Sequence, residues 1–273
     1  MKSKKSKISK TNESSHVLPR EDSEEPSIDI NCDMGEGVGT DEDIMPFISS
    51  ANIACGYHAG NEEIMGHTID LALKYNVAIG AHPSFFDREN FGRREMNLPA
   101  DEIYDLVFLQ LRTIDKIVKE KNASLNHVKP HGALYNISAR NPRVARAIAQ
   151  AVKDFDDRLI LFVLSNSPTM EEATLADLKT ASEVFADRTY QDDGSLTPRS
   201  QSDALIQDSS KCVEQVLQMI RQKTVTSVNG KVIPIMADTI CIHGDGKHAV
   251  EFASAIHQVL KKEGIKAKAC QSP

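Results

Sequence analysis

The sequence lacks the features that mark several large protein classes. Its 32 Lys and Arg residues are outnumbered by 39 Asp and Glu residues, giving a net charge of -7, so there is no basic excess for binding a nucleic acid. The longest uninterrupted apolar run, residues 159–164, falls far short of the roughly 20 residues needed to cross a bilayer. We therefore expect neither nucleic acid nor membrane as a partner.

Cysteine is scarce, and its five residues do not form a disulfide framework. The number is odd, the residues lie in apolar runs and no C-x-x-C pair occurs. Such thiols are typical of a reducing compartment, which predicts a cytoplasmic protein. The Lys-rich N-terminus also lacks the apolar stretch of a secretory signal.

Residues 1–26 offer little that could be buried. They contain six basic and five acidic side chains, and very few apolar ones. A segment of this composition cannot offset the entropy lost on ordering. We expect a disordered N-terminal tail over residues 1–26 and a single barrel domain over residues 27–273.

Beyond the tail, short β-like runs alternate with amphipathic helical runs. Apolar residues share one helical face over residues 64–75, 103–118 and 213–220, and Asn141-Pro142 predicts a helix start. Asn229-Gly230 between apolar residues predicts a hairpin. Seven or eight strand-then-helix units favour a TIM-like parallel α/β barrel, with a doubly wound open sheet as the alternative. The predicted strands are residues 28–32, 51–55, 77–81, 127–130, 159–164, 181–185, 239–243 and 265–269.

Strand parity gives the sharpest functional signal. Within residues 28–33 apolar and polar side chains alternate, so the two kinds lie on opposite faces of the strand. In a barrel one face packs on the helices and the other points inward, so the polar side chains of several strands converge at the interior and the C-terminal mouth. The inward set comprises Asp29, Asn31, Asp33, Asn52, His58, Gly80, His82, His127, Lys129, His131, Cys241, His243 and Asp245.

These inward groups divide into structural and functional candidates. Asp29, near a strand start, and His127, far from the mouth, are predicted to be structural hydrogen-bonding partners. Buried charges are costly unless paired, so the titratable groups at strand ends favour chemistry. A divalent metal is chemically possible here, because zinc takes imidazole and carboxylate ligands, but no short ligand-spacing motif supports one. The candidate catalytic residues are Asp33, Glu36, His58, His82, Lys129, His131 and His243, and the possible metal ligands are Asp33, His58, His82 and His131.

Arginines and one glycine turn offer sites for an anion. Arg93 follows a Phe-Gly turn, and two further arginines lie in the long polar segment 186–203. A Gly-Asp-Gly turn after the 239–243 strand could present backbone N–H groups to an anion, or could be a plain turn. Neither a Walker A motif nor G-x-G-x-x-G occurs, so any ATP chemistry does not use a P-loop. The candidate substrate- or phosphate-binding residues are Asn31, Asn52, Arg93, Arg188, Arg199, Asp245 and Gly246.

Seven longer motifs in fixed order resemble the LamB/YcsF family over about residues 28–264. They are NCDMGE (31–36), SANIACGYHAG (50–60), GAHPS (80–84), FGRR (91–94), VKPHGALY (128–135), VFADR (184–188) and CIHGD (241–245). The resemblance implies a seven-stranded (β/α) barrel related to sugar deacetylases and glycoside hydrolases. It also implies an ATP-dependent opening of 5-oxoproline (pyroglutamate) to L-glutamate, performed together with 5-oxoprolinase subunits B and C.

A working hypothesis assigns roles by residue type. Asp33 or Glu36 is the general base on water, while Lys129 and His131 stabilise the developing oxyanion or phosphate. The other three histidines orient water or protonate the leaving nitrogen, and an arginine clamps the substrate carboxylate. Two alternatives stay open: a metal-dependent amide hydrolase or deacetylase acting alone, and a non-catalytic substrate-binding subunit.

Overall fold

A computed structural model describes residues 25–271 as a closed parallel barrel surrounded by helices. Seven strands follow one another around the ring, and the first pairs with the last along Asp29–Asp33 and Thr239–His243. This pairing confirms the TIM-like (β/α)7 barrel and rules out the open sheet. The ring strands are β1 (Ser27–Met34), β2 (Ser50–Ala54), β3 (Ala78–His82), β4 (His127–Val128), β5 (Ile160–Leu164), β6 (Thr180–Phe185) and β9 (Thr239–His243), and the others are β7 (Thr224–Thr226), β8 (Val232–Pro234) and β10 (Lys266–Ala267).

The three segments with helical apolar periodicity form helices, as predicted. The inward face of α3 is fully buried along the predicted 103–118 stripe, whereas α7 turns Cys212, Val216 and Met219 to the core, a face rotated from the predicted one. Asn141 accepts a hydrogen bond from Arg143 N and begins α5 as predicted. The helices are α1 (Asp41–Ile44), α2 (Glu62–Tyr75), α3 (Ala100–Glu120), α4 (Gly132–Ser138), α5 (Pro142–Phe155), α6 (Pro168–Leu175), α7 (Ser209–Gln222) and α8 (Ala249–Lys262).

Two strands differ from the prediction, and each difference has a physical cause. β4 ends at Val128 rather than residue 130, because Pro130 has no N–H for the sheet ladder. The chain nevertheless keeps its parallel course, since Lys129 N and His131 N donate to carbonyl oxygens of residues 81 and 83. β10 pairs only with the start of β1 and lies outside the closed ring, so the eighth predicted unit adds no barrel strand.

The predicted hairpin forms between β7 and β8, which pair antiparallel outside the barrel. Gly230 adopts a φ of 80° in its turn, a conformation that favours glycine. The expectation of a disordered tail falls almost wholly on residues 1–24, which lie outside the described residues. Within the described part of the chain, no helix is long and apolar enough to span a bilayer.

The barrel interior is polar at its base, as strand parity predicts. Asp29 is buried and accepts hydrogen bonds from the hydroxyls of Ser49, Ser50 and Thr239. His127 is also buried and stacks on Phe162 with ring centroids 4.2 Å apart. Both predicted structural residues therefore lie in fully bonded or packed surroundings below the mouth.

Candidate active site at the barrel mouth

A cleft of about 640 Å³ opens at the carboxyl ends of the barrel strands. Its floor comes from β1, β3, β9 and the segment that follows β4, and its rim from the loops after β3 and β6. Parallel strands end on the same side of a barrel, so side chains distant in sequence meet here. The predicted site residues that line this cleft are Asp33, His82, Arg93, Lys129, His131, Arg188, Arg199 and His243.

The centre of the floor is an ion pair between Lys129 and Asp33. Lys129 Nζ lies 2.8 Å from Asp33 Oδ1 and 2.9 Å from Glu183 Oε1, and it also contacts Cys241 Sγ at 2.9 Å. Although burial alone would lower it, Asp33, Cys241 and Glu183 raise the pKa of the Lys129 ammonium well above its usual range. Burial opposes ionisation of Asp33 as well, but His82 and Lys129 outweigh it and hold the pKa of that carboxyl well below its ordinary value.

An amide network beneath this pair fixes its position. Asn52 Nδ2 donates to Asp33 Oδ1 at 2.9 Å and to Asn31 Oδ1 at 2.7 Å. Asn31 Nδ2 donates in turn to Glu183 Oε1 at 3.0 Å. Both Asn side chains are completely buried and neither lines the cleft, so they lie beneath its floor and support Asp33.

Three histidines from consecutive strand ends meet beside Asp33. His58 and His131 stack with ring centroids 3.8 Å apart, and His131 Nδ1 lies 2.8 Å from His82 Nε2. His82 Nε2 is also 3.3 Å from Asp33 Oδ2. Glu36 Oε1 closes the group, 3.2 Å from His58 Nε2 and 3.7 Å from His131 Nδ1.

Burial dominates the protonation of this group. It lowers the pKa of His58 and of His131 well below the ordinary histidine range, and neighbouring histidines add to the shift. Burial also raises the pKa of Glu36 well above its usual value, and the nearby carboxylates of Asp33 and Asp245 act in the same direction. His58 and His131 are therefore neutral rings at neutral pH.

His243 forms a second acid-base unit on the opposite side of the floor. Its Nδ1 lies 2.9 Å from both carboxylate oxygens of Asp187, which also accepts a hydrogen bond from His243 N at 3.1 Å. Burial would raise the pKa of Asp187, but His243 outweighs it and lowers that pKa. Asp187 thus holds one ring nitrogen of His243 while the ring lines the cleft.

Two glycines allow the backbone to approach this centre closely. A Cβ at Gly244 would overlap the carbonyl oxygen of Asp33, nearer than real Cβ atoms come. A Cβ at Gly92 would lie 2.8 Å from His58 Cβ and 2.9 Å from His131 Cδ2, and Gly92 has a φ of +67°. The Gly92 loop therefore covers the histidine group, and its neighbour Phe91 supplies the carbonyl oxygen that His131 Nε2 contacts at 3.0 Å.

The predicted anion-binding residues lie in different places. Arg188 is buried and donates to the carbonyl oxygens of Thr197 and Ala204, so it holds the long loop in place at the cleft wall. Arg93 lines the cleft and pairs with Asp245 at 2.5 Å. Asp245 and the exposed Gly246 are not among the cleft-lining residues, and Gly246 N donates within its own turn to His243 O at 3.3 Å.

Several residues of the centre are absent from the predicted set. Glu183 lies on β6 and Asp187 follows the strand, and the two lie an even number of positions apart, as the polar residues of β1 do. The alternation argument applied to β6 could therefore have found both. Ser84, which contacts His58 Nδ1 at 2.9 Å, follows β3 and gives no such signal. The contact between Ser84 and His58 depends on the path of the loop after β3.

Two groups of side chains in the described residues could hold a metal ion: Glu36 with His58, His82 and His131, and Asp33 with Cys241 and His243. The predicted set contained Asp33 in place of Glu36. In the second group the Lys129 ammonium already lies against Asp33 and Cys241, so a cation occupies that position.

Fold and site together define a TIM-like α/β barrel whose candidate site lies at the C-terminal mouth. Residues 28–273 match the LamB/YcsF family, and the chain belongs to that family. It is 52% identical to the 5-oxoprolinase A subunit of Staphylococcus epidermidis, over 87% of this chain and 96% of that protein. It is 49% identical to the Staphylococcus aureus protein of the same name, over 87% of this chain and 97% of that protein.

Solved structures agree with this assignment. The lactam utilization protein of Thermus thermophilus superimposes with a TM-score of 0.84 at 39% identity, covering 89% of this chain and all of that one. The catalytic domain of a peptidoglycan N-acetylglucosamine deacetylase from Eubacterium rectale gives a TM-score of 0.53 at 10% identity, over 92% of each chain. The second likeness shows a common fold alone, in agreement with the barrel expected from the sequence.

Proposed function

We propose that this chain is the A subunit of a 5-oxoprolinase and that its cleft opens the lactam ring of 5-oxoproline to give L-glutamate. The observation that carries the proposal is the buried Lys129–Asp33 pair at the cleft floor, flanked by histidines on both sides. Support comes from the 5-oxoprolinase A subunits that are 49–52% identical to this chain and from the lactam utilization protein of the same fold.

The reaction needs a base, an oxyanion partner and a proton donor. Water attacks the lactam carbonyl carbon, the carbon–nitrogen bond breaks, and the nitrogen takes up a proton. Asp33 is the candidate base, because it lines the cleft whereas Glu36 lies behind the histidines. Lys129 is the candidate partner for negative charge on the carbonyl oxygen, with His131 beside it.

His243 is the best placed donor to the leaving nitrogen. Asp187 fixes its Nδ1, so the other ring nitrogen is the one that can exchange a proton with a bound molecule in the cleft. A carboxylate behind a histidine orients the ring and stabilises its protonated form. In this proposal His58 and His82 act through the neighbouring groups and orient water.

An arginine at the rim suits the carboxylate of 5-oxoproline. Arg199 and Arg93 both line the cleft, and Arg93 is already paired with Asp245. The guanidinium of Arg188 already donates hydrogen bonds to backbone carbonyl oxygens. Arg199 is therefore the first candidate for the substrate clamp, with Arg93 able to join it by leaving Asp245.

ATP and two partner proteins complete the proposal. A lactam is a poor electrophile with a poor leaving group, so coupling to ATP hydrolysis supplies the driving force for activating its carbonyl. Overall, one water opens the lactam and a second is consumed as ATP becomes ADP and phosphate. The chain contains neither a P-loop nor a G-x-G-x-x-G sequence. We assign ATP use to the assembled complex with subunits B and C in the cytoplasm.

An omission experiment tests this function. Glutamate release from 5-oxoproline is measured with the purified chain alone, with subunits B and C alone, and with all three, each with and without ATP. We expect glutamate only from the full mixture with ATP. Turnover by the chain alone without ATP, abolished by a chelator, would instead establish the metal-dependent amide hydrolase.

A further inference from the structure

The histidine group contains a hydrogen-bonding conflict. His82 Nδ1 lies 2.6 Å from the carbonyl oxygen of Lys129, and His131 Nε2 lies 3.0 Å from that of Phe91. A carbonyl oxygen only accepts, so each of these nitrogens carries a hydrogen, and in a neutral ring the other nitrogen has a lone pair. Those other nitrogens, His82 Nε2 and His131 Nδ1, face each other at 2.8 Å. Two lone pairs at that distance repel unless a proton or a metal ion lies between them.

His58 adds a third lone pair to the same group of side chains. Its Nδ1 lies 2.9 Å from Ser84 Oγ, and the Ser84 hydroxyl donates its hydrogen to the carbonyl oxygen of Phe85 at 2.9 Å. The serine oxygen therefore accepts from His58 Nδ1–H, which leaves His58 Nε2 as a lone pair directed at Glu36 Oε1, 3.2 Å away. The three histidines and Glu36 are all buried, so solvent water supplies no hydrogen to these lone pairs.

This group is compact enough to share one metal ion once the His58 ring turns out of its stack on His131. The four inward atoms lie within 4.8 Å of one another, and individual pairs are separated by 2.8, 3.2 and 3.7 Å. A tetrahedral zinc ion with bonds of about 2.0–2.1 Å separates its ligands by about 3.4 Å. The outer nitrogen of each ring is bonded to a carbonyl or hydroxyl oxygen, as is usual for metal-binding histidines.

We propose that Glu36, His58, His82 and His131 bind one divalent transition-metal ion, with Zn²⁺ the best match to three imidazole nitrogens and one carboxylate oxygen. The ion supplies the positive charge that the converging lone pairs lack. Glu36 replaces Asp33 in the predicted ligand set, because Asp33 is already bonded to Lys129 and Asn52. The site lies beside the cleft floor, to which His82 and His131 contribute. This inference does not depend on the identity of the substrate.

Cobalt binding tests the site without measuring activity. Untagged full-length chain is stripped with a chelator and titrated with Co²⁺, which gives visible absorption bands in a tetrahedral nitrogen and oxygen environment. We expect saturation at one Co²⁺ per chain and displacement by one equivalent of Zn²⁺. His131→Gln should abolish the bands, and Glu36→Gln should weaken binding at least about tenfold. The matched control is His248→Gln, which removes a partly exposed histidine outside the group and should leave the titration unchanged.

Nitrogen NMR of ¹⁵N-histidine-labelled wild-type chain decides the question even if a variant does not fold. Zinc should shift the inward nitrogens of His58, His82 and His131 together, at a one-to-one ratio. The proposal is overturned if no saturable one-to-one binding occurs. It is also overturned if the His131→Gln variant binds as wild type does, or if His82 is doubly protonated between pH 6 and 8 whether or not zinc is present.

Discussion

The carbonyl oxygen of Lys129 accepts a hydrogen bond from His82 Nδ1 at 2.6 Å, while the Lys129 side chain forms an ion pair with Asp33 at 2.8 Å. One residue thus joins both parts of the floor. Its backbone fixes the orientation of the histidine group, and its ammonium fixes the carboxylate. A change at position 129 is therefore expected to affect stability as well as activity.

Lys129→Met should abolish turnover and lower the free energy of unfolding by about 3–5 kcal/mol, because it leaves buried Asp33 and Glu183 without their counter-ion. Urea unfolding of the variant measures the loss. The control is Lys74→Met, which removes an exposed pair with Glu42 and should change stability by less than about 1 kcal/mol. A Lys129→Met variant as stable as wild type would contradict this account of the pair.

Asp187→Asn should reduce turnover by about 10²–10⁴-fold while leaving substrate binding nearly unchanged, because Asp187 orients His243 and does not line the cleft. Steady-state kinetics of the reconstituted complex separate kcat from KM. His243→Gln should cause a similar loss, and the double variant should be little worse than either single variant, since the two residues act as one unit. Losses that multiply would show that the residues act independently.

Gly244→Ala should destabilise the barrel by about 1–3 kcal/mol, because its Cβ would overlap the Asp33 carbonyl oxygen. Gly66→Ala provides the control. Gly66 lies within α2, and its Cβ would meet only the flexible Lys121 side chain at 3.7 Å. That change should be neutral or stabilise by up to about 1 kcal/mol. Thermal unfolding of both variants checks the prediction, which is wrong if the two changes have equal effects.

Asp29 should give stability a distinctive pH dependence. Burial raises the pKa of Asp29 from 3.8 to about 6, even though three hydroxyls donate to the carboxylate. Below pH 4 the group is neutral in both folded and unfolded chains. Above pH 6 it is ionised in both, and the folded state then bears the cost of the buried charge. Its contribution to the free energy of unfolding therefore falls between pH 4 and 6, by up to about 3 kcal/mol.

The variant Asp29→Asn isolates this effect, because asparagine does not titrate. We expect the stability advantage of wild type over Asp29→Asn to shrink as pH rises from 4 to 7, measured by urea unfolding at several pH values. The comparison cancels the contributions of other carboxyls, which are common to both chains. A difference that stays constant over this range would contradict the predicted titration.

Local patterns in the sequence were enough to predict the barrel and much of its floor. Alternation in β1 placed Asn31 and Asp33 inward, and the motif around Lys129 placed that residue opposite them. Alternation does not say how deep an inward residue lies, so it could not separate the buried Asn31 from the residues that line the cleft. The contacts of Arg188 were not predictable for a related reason, because the loop path that buries its guanidinium depends on long-range contacts.

The most direct test of the central claim is glutamate release by the reconstituted complex containing Asp33→Asn, measured beside 5-oxoproline binding to the isolated variant. If the cleft of this chain opens the lactam, glutamate release is lost while 5-oxoproline still binds and the barrel unfolds cooperatively. If the complex with Asp33→Asn releases glutamate at the wild-type rate, the chemistry lies in a partner protein, and this chain only binds the substrate.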